Sequence, residues 1–176
     1  DLTIIPWSAF DTIPRDRPFT VLVDKDDRAD SLRIAPIAAA HPDATQFDEN
    51  LNWAYAAALM CAKAVVRDEP WSSKIRDGDL KGSLLTMIEW DHRARYGADY
   101  DVRFLGSRLR QWIDTDVQDD LESCWGRFDA TDSAAALRAT IALYARLSTR
   151  TAEVLGFPSF DHGRLRAEIE SILGSR

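Results

Sequence analysis

The sequence predicts a mainly α fold, a multi-helix bundle of about five to six helices preceded by a short β segment. Three observations carry this expectation. From Thr45 onward, apolar residues recur at spacings of three and four, the period of a helix face. Asp, Gly and Pro stand where such stretches begin and end. Only two runs, Leu2–Ile5 and Phe19–Val23, are rich in β-branched residues and bounded by turn formers. Two short strands do not make a stable sheet in water, so these runs are expected to be edge strands of a sheet whose remainder is absent.

Taken in order, residues 24–44 form a charged and then Ala/Pro-containing connector. Thr45 with Asp48 resembles a capping box, and an Ala-rich helix is expected from there to about Arg67. Phe47, Leu51, Ala54, Ala58, Ala62 and Val65 form its buried stripe. A second helix is expected over 79–96, with Leu80, Leu84, Met87, Ile88 and Trp90 on a broad apolar arc and Gly97 as its stop. Shorter helices are expected over 103–113 and 116–126. A long one follows from Ser133 to Leu155 after an Asp132 cap, with Leu137, Ile141, Leu143, Tyr144, Leu147 and Val154 spread widely enough for a central position. Gly156 and Pro158 end it, and Asp161 caps a last helix reaching Leu173.

The chain of 176 residues is 45% hydrophobic and 10% aromatic, enough for a sizeable core. Its six Trp residues are expected mostly in the core or at interfaces. The formal net charge of −7 argues against a general nucleic-acid-binding surface and suits a cationic small-molecule partner or plain solubility. Cys61 and Cys124 lie in apolar-periodic stretches without CxxC spacing, the pattern of buried reduced thiols in a cytoplasmic protein. No apolar run is long enough to span a membrane, and no signal peptide is evident.

Several motifs fail on inspection. Asp24 to Asp30 invites an EF-hand reading, but the fifth, sixth and twelfth positions are Arg28, Ala29 and Ala35, so a solvated turn is the better account. His41, His92 and His162 are scattered, which argues against zinc. There is no GxGxxG, no P-loop and no GxSxG elbow.

Short motifs in a consistent order carry more. Asp1-Leu2-Thr3-Ile4-Ile5-Pro6 is followed by Val21-Leu22-Val23-Asp24-Lys25-Asp26. Pro42 leads to Phe47-Asp48-Glu49 and Asn52, and Ala62-Lys63 leads to Arg67-Asp68-Glu69. Beyond these stand Leu84-Leu85, Met87, Glu89-Trp90, and later Ala152-Glu153-Val154-Leu155-Gly156. In order and spacing this set resembles the carboxy-terminal half of the aminoglycoside 6-adenylyltransferase (streptomycin adenylyltransferase) family. The resemblance covers essentially the whole chain. One departure is Gly106-Ser107-Arg108, where the family often has Gly-Lys or Gly-Arg; Arg108 or Arg110 then replaces that cation, or the contact is lost.

The resemblance implies a division into residues 1–30, two strands left from a truncated nucleotidyltransferase domain, a connector over 31–44, and a helical acceptor-binding domain over 45–176. It implies an enzyme that transfers AMP from ATP to a hydroxyl of a streptomycin-like acceptor with Mg²⁺. The Gly-Ser turn and Asp-x-Asp pair of the missing amino-terminal domain are not in the chain, so the chain alone is expected to be inactive and to need no cofactor. By the same resemblance Asp1 is the third carboxylate, a metal ligand or base. Glu49 is a candidate general base, Asp48, Asn52, Glu89 and Trp90 bind the acceptor, and Lys63 and Arg108 contact phosphate.

Spacing adds one observation of its own. Glu49, Asn52, Ala56, Met60, Lys63 and Arg67 fall on one helical stripe, acidic at its start and basic at its end. A helix dipole favours that order on any solvated face, so the stripe is equally read as a plain surface. Two other functions stay open: a non-catalytic helical binding module or inactive paralogue, and a nucleotidyltransferase with a non-aminoglycoside acceptor.

Overall fold

The computed structural model describes residues 4–6, 8, 21–27, 41–102 and 104–175. The chain divides into two compact units, Asp1–Ala39 and Ala40–Arg176. In the first unit, the described parts of the two β-like runs, Ile4-Ile5 and Val21–Val23, carry no strand. Ile4, Leu22 and Val23 are largely exposed, and short extended segments gain nothing from pairing unless they bury a face. The Asp24 carboxylate accepts from the Asp26 N–H at 3.3 Å, a local turn. Asp1 lies outside the described residues.

The second unit contains five α-helices among the described residues: α1 (Ala44–Val66), α2 (Pro70–Tyr96), α3 (Thr115–Glu122), α4 (Ala130–Leu155) and α5 (His162–Leu173). α1 starts one residue before the expected position, and its cap is Asp43 rather than Thr45. Asp43 Oδ1 accepts from the Gln46 N–H at 2.8 Å while Gln46 Oε1 accepts from the Asp43 N–H at 3.0 Å, a full capping box. The expected buried stripe from Phe47 to Val65 is indeed buried, joined by Tyr55, Ala57, Cys61 and Ala64. Its small residues let α1 approach α2, α4 and α5 closely.

α1 and α2 form a helical hairpin across Arg67–Glu69. Asp68 takes a left-handed φ of 54°, the Arg67 guanidinium is bonded to Glu69, and Pro70 occupies the first position of α2, where its missing N–H costs nothing. α2 therefore begins nine residues earlier than expected. Its first turns carry little apolar signal because ion pairs (Arg76–Asp79 and Asp77–Lys81) take the place of a hydrophobic stripe. Between α2 and α3 the expected helix over 103–113 is replaced by two 3₁₀ turns, Phe104–Gly106 and Leu109–Gln111. Leu105 and Arg108 sit at φ 49° and 52°, which no α-helix accommodates.

α4 packs against all the other helices, as its wide apolar spread requires. Its cap is Asp129, whose carboxylate accepts from the Asp132 N–H at 2.8 Å; Asp132 itself accepts from the Arg127 backbone and guanidinium. Val154 is half exposed and not part of the stripe. Gly156 closes α4 at φ 73°, the left-handed cap that glycine adopts without strain. α5 is capped by Asp161 and anchored by Ile169 and Leu173. Of the five described Trp residues only Trp112 is buried, whereas Trp53, Trp71 and Trp125 are exposed and Trp90 is half-buried. Cys61 and Cys124 are buried and free, and burial pushes both thiols up in pKa. No helix among the described residues is long and apolar enough to cross a membrane.

Candidate functional site

The outward face of α1 meets α2 along an open cleft of about 490 Å³. Gln46, Glu49, Asn50 and Trp53 recur at helical spacing on α1, and Thr86 and Trp90 stand one turn apart on α2, with Pro42 at the end. Glu49 and Asn50 therefore share a wall with two indoles. Trp53 is 54% exposed, so its ring is available to a ligand. Trp90 is seated by Phe47, with ring centroids 6.2 Å apart, and Phe47 is itself held by Phe157 at 5.1 Å. Gln46 is committed to the cap through Oε1, and Thr86 donates its hydroxyl back to the Gly82 carbonyl. What remains for a ligand is one carboxylate, the NH₂ groups of Gln46 and Asn50, and two aromatic faces. A cation suits that set, since both carboxylate and π face attract it.

Of the residues named from the sequence, Glu49 and Trp90 come together here. Asp48 and Asn52 are exposed on α1 outside the cleft, and Glu89 is half-buried beside Trp90 without lining it. Lys63 is exposed on the same face of α1, but fourteen residues on, roughly 21 Å along the axis from Glu49. Arg67 is paired with Glu69. The stripe is thus a real face whose two ends are too far apart to hold one small group. Arg108 and Arg110 are exposed near the second 3₁₀ turn and do not line the cleft. Sequence reasoning missed Gln46, Asn50 and Thr86. Their signal was present in the 46/49/50/53 and 86/90 spacings, but nothing in one sequence says which faces of two helices meet.

Asp91, beside Trp90, has a different task. It is fully buried and grips Arg95 on its own helix and Arg150 on α4. Arg95 also binds Asp114, to which Tyr96 donates its hydroxyl at 2.8 Å. Burial works against the Arg95 charge, and the bonds to Asp91 and Asp114 more than offset it, holding its pKa above the ordinary value. Burial likewise opposes the Asp114 charge, but Tyr96 and Arg95 keep its carboxyl below the usual range. His92, with no exposed surface, donates from Nδ1 to the Ile88 carbonyl at 2.8 Å and accepts at Nε2 from the Asp114 N–H at 3.1 Å. Burial holds it neutral. This network pins α2 to α3 and α4.

Among the described residues no group of three or more His, Cys, Asp or Glu side chains is placed to hold a metal ion. They do not fit a Mg²⁺ site, and Asp1 lies outside them.

A sequence model of the streptomycin adenylyltransferase family matches residues 1–166. Among solved structures, the crystal structure of an aminoglycoside 6-adenyltransferase from Bacillus subtilis superposes with a TM-score of 0.64 at 18% identity. The match covers 75% of this chain and 51% of that one, so the chain spans about half the length of that protein. At this identity the likeness speaks for the fold alone. No curated protein matches the chain. With residues 1–166 matched by the family model, nearly its whole length, the chain belongs to the streptomycin adenylyltransferase family.

Proposed function

We propose that the chain is the acceptor-side part of an adenylyltransferase that moves AMP from ATP to a hydroxyl of an aminoglycoside-type acceptor. The observation that carries this reading is the α1–α2 cleft, where the Glu49 carboxylate stands with the exposed faces of Trp53 and Trp90. An ammonium or guanidinium group entering there gains Coulomb attraction from Glu49 and from both ring quadrupoles. In the transfer, the acceptor hydroxyl attacks the α-phosphorus of ATP, the new P–O bond forms and pyrophosphate leaves. The hydroxyl proton passes to a base, and Glu49 is the carboxylate of the cleft suited to receive it. ATP and Mg²⁺ come with the family resemblance; Lys63, at the far end of the α1 face, is assigned to phosphate, and the metal is assigned to no described residue.

The test is pyrophosphate release by the protein containing this chain, given ATP, Mg²⁺ and streptomycin, against a panel of other hydroxylated acceptors. Streptomycin-dependent release is expected. Release on another acceptor without any on streptomycin overturns the aminoglycoside assignment, and streptomycin binding with no release on any acceptor leaves a binding module.

A further inference from the structure

Asn50 borders the cleft and is also tied to the core behind it. The hydroxyl of Tyr144, on α4 and 1% exposed, lies 2.6 Å from Asn50 Oδ1. Burial holds the phenol well above its ordinary pKa, so it keeps its proton and must place it on an acceptor. An amide offers a phenolic O–H only its oxygen, because the NH₂ group is a donor. The bond therefore sets the rotation of the amide: Oδ1 is taken by Tyr144, and the two N–H donors of this cleft-lining residue are what it has left to offer a ligand. Tyr144 is itself fixed, its ring meeting that of Tyr55 edge-on at 6.0 Å.

We propose that Asn50 is a specificity-determining residue of this cleft, donating to a hydroxyl or ether oxygen of a polyhydroxylated cation, and that Tyr144 is the positioning residue that aims it. The inference rests on the acceptor-cleft reading above. Glu49 and the indoles accept any organic cation of suitable size. Asn50 adds a demand for an oxygen acceptor at a fixed place, which separates an amino- or guanidino-substituted cyclitol or sugar from a simple amine. A donor already oriented in the free protein loses less entropy on binding than a freely rotating one.

Two probes separate these contributions. Streptomycin is cationic and polyhydroxylated, whereas methylguanidinium is cationic and carries no oxygen. Each is titrated into the chain with tryptophan fluorescence as the readout. Asn50→Ala and Tyr144→Phe are expected to weaken streptomycin roughly three- to tenfold, the worth of one neutral hydrogen bond, and to leave methylguanidinium unchanged. Glu49→Gln is expected to weaken both. In Tyr144→Phe, which keeps the packed ring, the two side-chain amide proton signals of Asn50 are expected to shift and gain mobility in nitrogen-15 spectra. Equal losses for both probes in Asn50→Ala, or streptomycin binding with no loss, overturn the assignment of Asn50 alone. Unchanged amide signals in Tyr144→Phe remove Tyr144 from the role. If the wild-type chain binds methylguanidinium and not streptomycin, the acceptor reading fails and takes this inference with it.

Discussion

Arg150 reaches from α4 to hold both oxygens of the fully buried Asp91 on α2, with Nε 2.7 Å from Oδ1 and Nη2 2.7 Å from Oδ2. Arg95 takes the same carboxylate from the other side, so one buried anion is shared by two cations. Removing one member of a buried pair is more costly than the pair is favourable, because the survivor stays desolvated and uncompensated. Asp91→Ala leaves Arg95 and Arg150 without their common partner and is expected to destabilise the helical unit by about 3–5 kcal/mol. Arg150→Ala costs less, since Arg95 remains. Urea unfolding followed by circular dichroism reads both; a loss under about 1 kcal/mol for Asp91→Ala contradicts the assignment.

His92 makes stability depend on pH in a defined direction. As a neutral ring it uses both nitrogens, and a proton on Nε2 expels the Asp114 N–H. Its pKa is lowered from 6.5, chiefly by burial, and that of His162 is lowered for the same reason. Above about 6.5 neither the folded nor the unfolded state binds the proton, and stability is flat. Below it the unfolded chain takes up protons that the folded chain resists, so stability falls as pH descends toward the folded values. Asp114 and Asp116, both held below the ordinary 3.8, add a second loss at lower pH, as the pH falls through their folded values. Urea midpoints from pH 8 to 5 are expected to decline from near 6.5 downward, and less steeply in His92→Gln. A midpoint constant across that range rules the account out.

Two glycines of opposite context test the backbone reading. A Cβ on Gly126 lies 2.6 Å from the Asp132 carbonyl oxygen, where the loop before α4 presses on its first turn. Gly126 also offers its carbonyl to the Lys74 ammonium at 2.8 Å, so the loop is held on both sides. Gly126→Ala is expected to cost about 1–3 kcal/mol through this overlap. Gly78, inside α2, has nothing within 4 Å of the added carbon. There alanine removes backbone freedom from the unfolded state and is expected to stabilise by about 0.5–1 kcal/mol. Thermal unfolding of the two variants distinguishes them, and shifts of the same sign refute the comparison.

Periodicity located the helices better than their ends or their mutual faces. The Phe47–Val65 stripe and the central place of α4 were legible because burying an apolar face leaves a period in the sequence. The start of α1 was misplaced because Asp43-x-x-Gln46 and Thr45-x-x-Asp48 are both plausible boxes, and only the geometry separates them. The opening of α2 was hidden because charge pairs and Pro70, not apolar residues, define it. The 103–113 stretch has apolar residues at helical spacing, yet Leu105 and Arg108 turn left-handed, which composition does not reveal. For the site, Glu49 and Trp90 were named from resemblance, whereas Asn50 was invisible until Tyr144, ninety-four residues away, was seen behind it.

The cleft residues differ in what they support, and that difference can be measured. Glu49 is exposed on α1, so Glu49→Gln is expected to change folding stability by less than about 0.5 kcal/mol. In the active protein the same change removes both the cation's partner and the candidate base, and a drop in turnover of roughly a hundredfold or more is expected. Trp53→Ala also leaves the fold nearly intact because the ring is 54% exposed, yet it weakens the acceptor by the worth of a cation–π contact, about 0.5–1 kcal/mol. Trp90→Ala is different, since the ring also packs on Phe47; it is expected to lower stability and affinity together. Steady-state kinetics beside urea unfolding reads all three variants. An unchanged turnover number in Glu49→Gln removes Glu49 from the chemistry, and unchanged acceptor KM in both Trp variants removes the cleft from acceptor binding.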